Sequence, residues 1–185
     1  MSKPLLILDL DETLASATTE HRPDLGEPDF RVASFAVYRR PHLAEFLRTV
    51  AGWYDLSVWS SASGPYVLAL VGGLFPDPSS LRFVWSCERC TRRLHPETQE
   101  YYWVKDLKKV KRVGFALERV LMIDDTPAKL ERNYGNHLRV HLFEGQPADT
   151  ELRDMLPFLD RLRTVENMRA VEKRYWRRLA GAADA

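Results

Sequence analysis

Pro4-Leu5-Leu6-Ile7-Leu8-Asp9-Leu10-Asp11-Glu12-Thr13-Leu14 is a short apolar run that ends in two carboxylates spaced i and i+2. An extended chain alternates its side chains, so Asp9 and Asp11 point to one side. A buried strand needs the hydrophobic run, but burial gives no reason for a pair of acids at its carboxyl end. Like charges repel there unless a cation or a proton separates them. In an open parallel sheet the crevice beyond the carboxyl ends of the strands is where ligands sit, which makes this pair a candidate functional site. The plainer reading is a solvated Asp/Glu/Thr turn with a helix cap.

Working outward, short apolar runs alternate with amphipathic stretches. Phe35 to Tyr38 reads as a short extended piece, and Pro41 to Val50 as a helix with Pro in its first turn and Leu43, Phe46, Leu47 and Val50 on one face. Leu56 to Trp59 is the next strand, Tyr66 to Leu74 a helix, and Leu81 to Trp85 another strand. A Cys/Arg-rich excursion then closes at Tyr101 to Val104. Val120 to Ile123 and Leu138 to Leu142 are further strands, and Thr150 to Leu162 and Val165 to Leu179 read as two terminal helices. Asp24 to Asp29 is the loosest stretch. Strands alternating with helices predict an α/β fold, a Rossmann-like three-layer arrangement with a parallel sheet covered on both faces.

The 185 residues suit one domain, 1–185, with 45% hydrophobic residues to build its core. Lys plus Arg number 27 against 26 Asp plus Glu, so overall charge balance indicates no polyanionic partner. No apolar run is long enough to span a bilayer and no charged-then-apolar leader opens the chain, so a soluble intracellular protein, in cytoplasm or nucleus, is expected, with no membrane association. Cys87 and Cys90 are too few and too close for a secreted disulfide framework. They have the spacing of half a zinc knuckle, with His95 near, but a fourth ligand is missing.

The polar residues at the strand ends form an ordered set. The first strand delivers Asp9 and Asp11, the Leu56 strand delivers Ser60, the aromatic strand leads to Lys105, and the Val120 strand to Asp124-Asp125-Thr126-Pro127. Asp9 to Leu14, Trp59-Ser60, Val104-Lys105-Asp106-Leu107 and Ile123 to Pro127 resemble, in order, the four motifs of haloacid dehalogenase (HAD) superfamily phosphatases. Within these the chain is similar to the RNA polymerase II C-terminal-domain phosphatases, over roughly Leu5 to Leu179 and including Arg40-Pro41-His42-Leu43. It departs from that branch in having Ser60 where many members have Thr, and in the segment Ser86 to Arg93, which does not align. The resemblance implies a HAD-like fold, hydrolysis of phosphoserine or phosphothreonine in proteins, and a backbone carbonyl of Asp11 on the metal.

The chemistry also follows from the residue types. Clustered carboxylates with Asp125 make a hard oxygen site suited to Mg2+. Asp9 is the expected nucleophile, giving an aspartyl-phosphate, and Asp11 the acid that protonates the departing oxygen and later takes a proton from water. Ser60 and Lys105 are expected to hold nonbridging phosphate oxygens. The expected metal ligands are Asp9, Asp11 and Asp125, with Asp124 supporting them; Asp124 and Asp125 could exchange roles. Thr13 is expected to order the turn around Asp11, and Tyr66 resembles an aromatic that lines the family's pocket, a core role being the alternative.

Gap lengths bear on substrate size. The 46 residues between Thr13 and Ser60 leave room for a flap but no large cap domain, and the 44 between Ser60 and Lys105 for a helix, a strand and a small hairpin insertion. An open crevice admits part of a macromolecule, so a phosphorylated protein or peptide is the leading substrate. The alternatives are a phosphatase for nucleic-acid ends or small metabolites, and a non-catalytic phosphopeptide-binding module. The basic residues around Arg89 to Arg93 and Lys108 to Arg112, and those of the last helix, read as solvated charge.

Overall fold

In the computed structural model, which describes residues 2–181, the apolar run before Asp9 is the central strand of a parallel sheet. In chain order the elements are β1 (Leu5–Leu8), β2 (Ala15–Thr18), β3 (Phe30–Val32), β4 (Phe35–Arg39), α1 (Leu43–Trp53), β5 (Asp55–Trp59) and α2 (Gly64–Leu74). There follow β6 (Val84–Trp85), β7 (Thr91–Leu94), β8 (Tyr101–Val104), α3 (Lys108–Arg112), β9 (Val120–Asp124), β10 (His137–Arg139), α4 (Glu151–Arg163) and α5 (Trp176–Gly181). The sheet order is β10-β9-β1-β5-β6, all parallel.

Every residue of β1 is buried, as a strand covered on both faces requires. Its alternate side chains enter two cores. Leu6 and Leu8 join the larger one with α1, α2 and α4; Leu5 and Ile7 join Trp59, Trp85, Val110 and Met122 on the other face. The expected three layers are therefore present. α1 buries Leu43, Phe46, Leu47 and Val50, the stripe its spacing predicts. Each such side chain contributes roughly 1.5–3 kcal/mol of burial. The helix stops at Tyr54, whose hydroxyl donates to the Leu159 carbonyl at 2.6 Å and joins α1 to α4.

Register places the site. Leu8 pairs with Val58 on one side and Ile123 on the other, so the next residues, Asp9, Trp59 and Asp124, lie side by side at the carboxyl edge. The Asp9 amide donates to the Ile123 carbonyl at 3.0 Å, extending the ladder to the first acid.

Between Thr13 and α1 the chain builds a three-stranded antiparallel sheet, β2-β4-β3. It forms the expected flap, though β2 and β3 carry no clear strand pattern. Gly73 of α2 lies directly against the Phe30 ring of β3, where a Cβ would collide. β7 and β8 form the hairpin insertion before Lys105.

Three expectations are corrected. The strands read at Leu81 to Trp85 and Leu138 to Leu142 shorten to Val84–Trp85 and His137–Arg139. A continuous helix from Val165 to Leu179 does not form. Met168–Ala170 is one 3-10 turn, and helix begins only at Trp176. The apolar period came from two separate anchors, Met168 and Trp176, both buried. Among the described residues no helix is long and apolar enough to cross a membrane.

Candidate active site

The turn after β1 is tight. Thr13 and Leu14 amides both donate to the Leu10 carbonyl, and Glu12 takes φ 55°, a left-handed conformation uncommon for a residue with a Cβ. The turn is held from below by Arg40. Its guanidinium is buried, donates to both carboxylate oxygens of Asp149 at 2.8 and 2.7 Å, and reaches the Thr13 carbonyl at 3.0 Å.

Asp9 is wholly buried between two ammonium groups. Lys105 Nζ lies 2.9 Å from Oδ1 and Lys129 Nζ 3.0 Å from Oδ2, while the Leu10 amide donates to Oδ1 at 2.9 Å. Burial works against its charge, but the two lysines outweigh burial and hold the carboxyl below the ordinary carboxylate range. Lys105 also contacts Asp124 Oδ2 at 2.7 Å. Burial, then repulsion from Asp9, pushes Asp124 up to about 7.

Asp11 has a different setting. Its Oδ1 accepts from the Tyr66 hydroxyl at 2.6 Å and its Oδ2 from Ser60 Oγ at 3.4 Å. Burial raises its pKa against the opposing Tyr66 bond, and the Asp9 charge adds to the rise. Two acids two residues apart are thus driven in opposite directions, the pattern that separates a charged nucleophile from a proton donor. Phe35 of the flap packs edge-on against Tyr66, with ring centroids 5.4 Å apart, and steadies it.

Of the carboxylates expected to hold a metal, Asp9 and Asp125 come together with Asp124, whereas the Asp11 carboxylate, held by Tyr66 and Ser60, lies outside that cluster. Asp9, Asp124 and Asp125 offer carboxylate oxygens within 4.8 Å of one another, so both acids of the Asp124-Asp125 pair reach the cluster. Asp125 is oriented by hydroxyls of Thr13 (3.2 Å) and Thr126 (2.8 Å). Thr13 therefore acts on Asp125 as well as within its own turn.

Two residues were not foreseen. Lys129 sits on the 3-10 turn Pro127–Leu130, and its carbonyl accepts from the Lys105 amide at 2.7 Å, which fixes the two lysines together. The signal was the Pro at Pro127, which starts a tight turn just after the acids and returns Lys129 toward them. Glu12 is the second. Burial and repulsion from Asp11 and Asp125 push it up to about 7. Five carboxyl groups, Asp9, Asp11, Glu12, Asp124 and Asp125, thus face two lysines, an excess of negative charge that suits a cation.

Cys90 is buried with Sγ 3.9 Å from the Ser60 carbonyl, a packing position behind the site. The neighbouring basic residues are partly engaged. Arg92 stacks on Tyr101, and Lys109 Nζ donates to the Arg89 carbonyl at 2.7 Å.

A parallel sheet with this acid-lined edge is the HAD-like arrangement, and solved structures agree. The fold matches the C-terminal-domain phosphatase Fcp1 with a TM-score of 0.59 at 16% identity, covering 98% of this chain and 61% of that one. A fission yeast Fcp1 variant bound to beryllium fluoride matches with a TM-score of 0.56, also at 16% identity, covering 98% of this chain and 62% of that one. The chain thus spans about six-tenths of the Fcp1 chains it matches.

A model of the NLI interacting factor-like phosphatase family matches residues 4–169, and the chain belongs to that family. CTD nuclear envelope phosphatase 1 of Xenopus laevis is 29% identical over 94% of this chain and 73% of its own length. The Drosophila melanogaster homolog is 31% identical over the same shares. The protein is a phosphatase by class.

Proposed function

We propose that the chain is a single catalytic domain that hydrolyses phosphomonoesters through an aspartyl-phosphate on Asp9, with phosphoserine or phosphothreonine in a protein as substrate. The observation that carries this reading is the opposed setting of the two acids. Asp9 keeps its charge between Lys105 and Lys129, while Asp11 is raised toward its protonated form.

In the first half-reaction an Asp9 oxygen attacks phosphorus as the bond to the ester oxygen breaks, and Asp11 delivers its proton to that oxygen. In the second, the Asp11 carboxylate takes a proton from water, the water oxygen bonds to phosphorus, and the Asp9 oxygen leaves as carboxylate. In this reading Ser60 Oγ, 3.4 Å from Asp11 Oδ2, donates to a phosphate oxygen. Lys105 is enclosed by Asp9 and Asp124, whereas the Lys129 side chain is 18% exposed. Lys129 therefore shares the phosphate-holding role expected of Lys105.

The donor set fits Mg2+, being all hard oxygen with excess negative charge. Asp9, Asp125 and the main-chain carbonyl of Asp11 would hold it, with Asp124 tied to Lys105. Bound there, the ion offsets the repulsion between an anionic nucleophile and an anionic phosphate.

The relatives' names concern C-terminal-domain and nuclear envelope phosphatases, and among the described residues the insertion after Thr13 is a three-stranded flap and not a large cap; both favour a protein substrate. The test compares kcat/KM for phosphoserine peptides, free phosphoserine and phosphorylated oligonucleotides. A peptide advantage of at least about tenfold over free phosphoserine, about 1.4 kcal/mol of flanking contact, is expected. Preference for free phosphorylated compounds would overturn the protein substrate, and preference for oligonucleotides would replace it.

A further inference from the structure

The loop that carries Asp124 and Asp125 has a second side. Beyond Pro127, beside the edge strand β10, lies a cleft of about 750 Å³. Five basic residues line it, Arg139, Arg169, Lys173, Arg174 and Arg177, against one acid, Glu172. This concentration occurs in a chain whose formal net charge is only +1. Four of the five were expected on the solvated side of a continuous helix; the break after Ala170 wraps them around a concavity instead.

Two of the guanidinium groups are already balanced. Arg174 pairs with Glu172 at 2.6 Å, and Arg177 pairs with Glu151. Arg139 and Arg169 are exposed, with no side-chain ion pair or hydrogen bond among the described residues.

The backbone that carries them is fixed. Lys173 is buried, and its ammonium donates to the carbonyls of Gly135 and Val171, each at 2.8 Å, and to that of Met168. All three of its protons are used, so it clamps the walls instead of binding a ligand. The turn at Met168–Ala170 lies so close to Gly135 that a Cβ there would sit 3.2 Å from the Arg169 carbonyl. Trp176 Nε1 donates to the Arg139 carbonyl at 2.9 Å and ties α5 to the edge strand. Both free arginines therefore stand on preorganised supports, which lowers the ordering cost of binding.

The volume is that of a small-molecule site. Guanidinium forks match phosphate oxygens in pairs, and a ligand with two phosphate groups supplies such a pair to each fork. We propose that this cleft is a second anion site, separate from the catalytic crevice, that takes a compact ligand carrying two or more phosphate groups. It lies directly behind the catalytic loop: His137, on its wall, has Nε2 2.8 Å from the Asp124 carbonyl oxygen.

The test is calorimetric titration of the full chain with inositol hexakisphosphate, together with flotation on vesicles containing phosphatidylinositol 4,5-bisphosphate. The wild type and Asp9→Asn should bind the soluble probe equally. Arg139→Ala and Arg169→Ala should each weaken it by at least about tenfold. Both arginines are exposed, so thermal unfolding and aryl phosphate turnover of these variants should match wild type. Vesicle binding that the same substitutions abolish assigns the phosphates to a lipid headgroup; binding of the soluble probe alone assigns a free metabolite. No binding to wild type, or binding that survives both arginine changes and is lost in Asp9→Asn, overturns the proposal. Binding of an oligonucleotide or polyglutamate in place of the inositol phosphate overturns it equally.

Discussion

Replacing Lys105 by Met should cost stability as well as activity, and the amount can be reasoned from the site. Lys105 Nζ lies 2.9 Å from Asp9 and 2.7 Å from Asp124, and none of the three side chains is exposed. Each contact has a gross Coulomb energy of about 6 kcal/mol at an effective dielectric constant of ~20, most of which the desolvation of both ions offsets. Removing one partner leaves the other buried and bare, a loss of about 3–5 kcal/mol. Lys129 remains 3.0 Å from Asp9 but is 3.9 Å from Asp124, so the undercompensated group is mainly Asp124; because burial pushes Asp124 up to about 7, the comparison is made at pH 9, where it is charged in the wild type. Lys105→Met should therefore lower stability by about 4 kcal/mol, within the ~5–15 kcal/mol of a typical domain. Adding Asp124→Asn removes the bare charge and should restore about 2 kcal/mol, without restoring turnover. Urea unfolding followed by tryptophan fluorescence reads this directly. With m near ~2 kcal/mol/M, the single variant's midpoint should fall by about 2 M and the double variant's by about 1 M. A single-variant loss below about 1 kcal/mol, or a double variant no more stable than the single, would refute the buried charge balance.

The remaining predictions concern the acid, the metal and the clamp. Asp11 must be protonated to release a poor leaving group, so kcat/KM for a phosphoserine peptide should decline as pH rises through its raised pKa. The Tyr66 bond favours the charged carboxylate; Tyr66→Phe should move that decline to higher pH, and an unmoved profile would separate Tyr66 from the acid. Chelation with EDTA should remove activity, Mg2+ should restore it and Ca2+ should inhibit, since longer bonds and higher coordination loosen the in-line geometry. Asp125→Ala should raise the Mg2+ requirement more than Asp124→Ala; a larger rise in Asp124→Ala would exchange their roles, and a requirement equal to wild type in both would remove the pair from the metal site. Arg40→Ala leaves Asp149 with only the Glu151 amide and the Thr13 carbonyl without the Arg40 donor, and calorimetric or urea unfolding should show a loss of about 3 kcal/mol.

Legibility in the sequence followed burial. β1 and β9 are nearly continuous apolar runs because helices or loops cover both faces, β5 is buried from Leu56 to Trp59 although it contains Ser57, and the polar residues at their ends marked the site. β2 and β3 were missed because Ala15-Ser16-Ala17-Thr18 and Phe30-Arg31-Val32 hold their conformation by pairing with β4, not through their own pattern. The last helix was overread for the opposite reason. Met168 and Trp176 are eight residues apart and both buried, which imitates helical period, while the intervening backbone is held by the Lys173 ammonium. In the site, Asp9, Asp11, Ser60, Lys105 and Asp125 were readable as strand-end residues. Lys129 was not, because a lysine four residues past the acids looks like any solvated loop residue until the Pro127 turn is seen. Tyr66 was ambiguous between core and pocket because it meets both: its ring packs against the core and its hydroxyl donates to Asp11.

The most direct measurement is a rapid acid quench of Asp11→Asn with an aryl phosphate. The good leaving group needs little help from an acid, whereas attack of water on the phosphoenzyme loses its base. One equivalent of phenol should be released in a burst without turnover, and peptide mapping should find a single phosphoryl group on Asp9. The same treatment of Asp9→Asn should give neither burst nor label. A label elsewhere, turnover without any phosphoenzyme, or activity retained in Asp9→Asn would contradict Asp9 as the nucleophile.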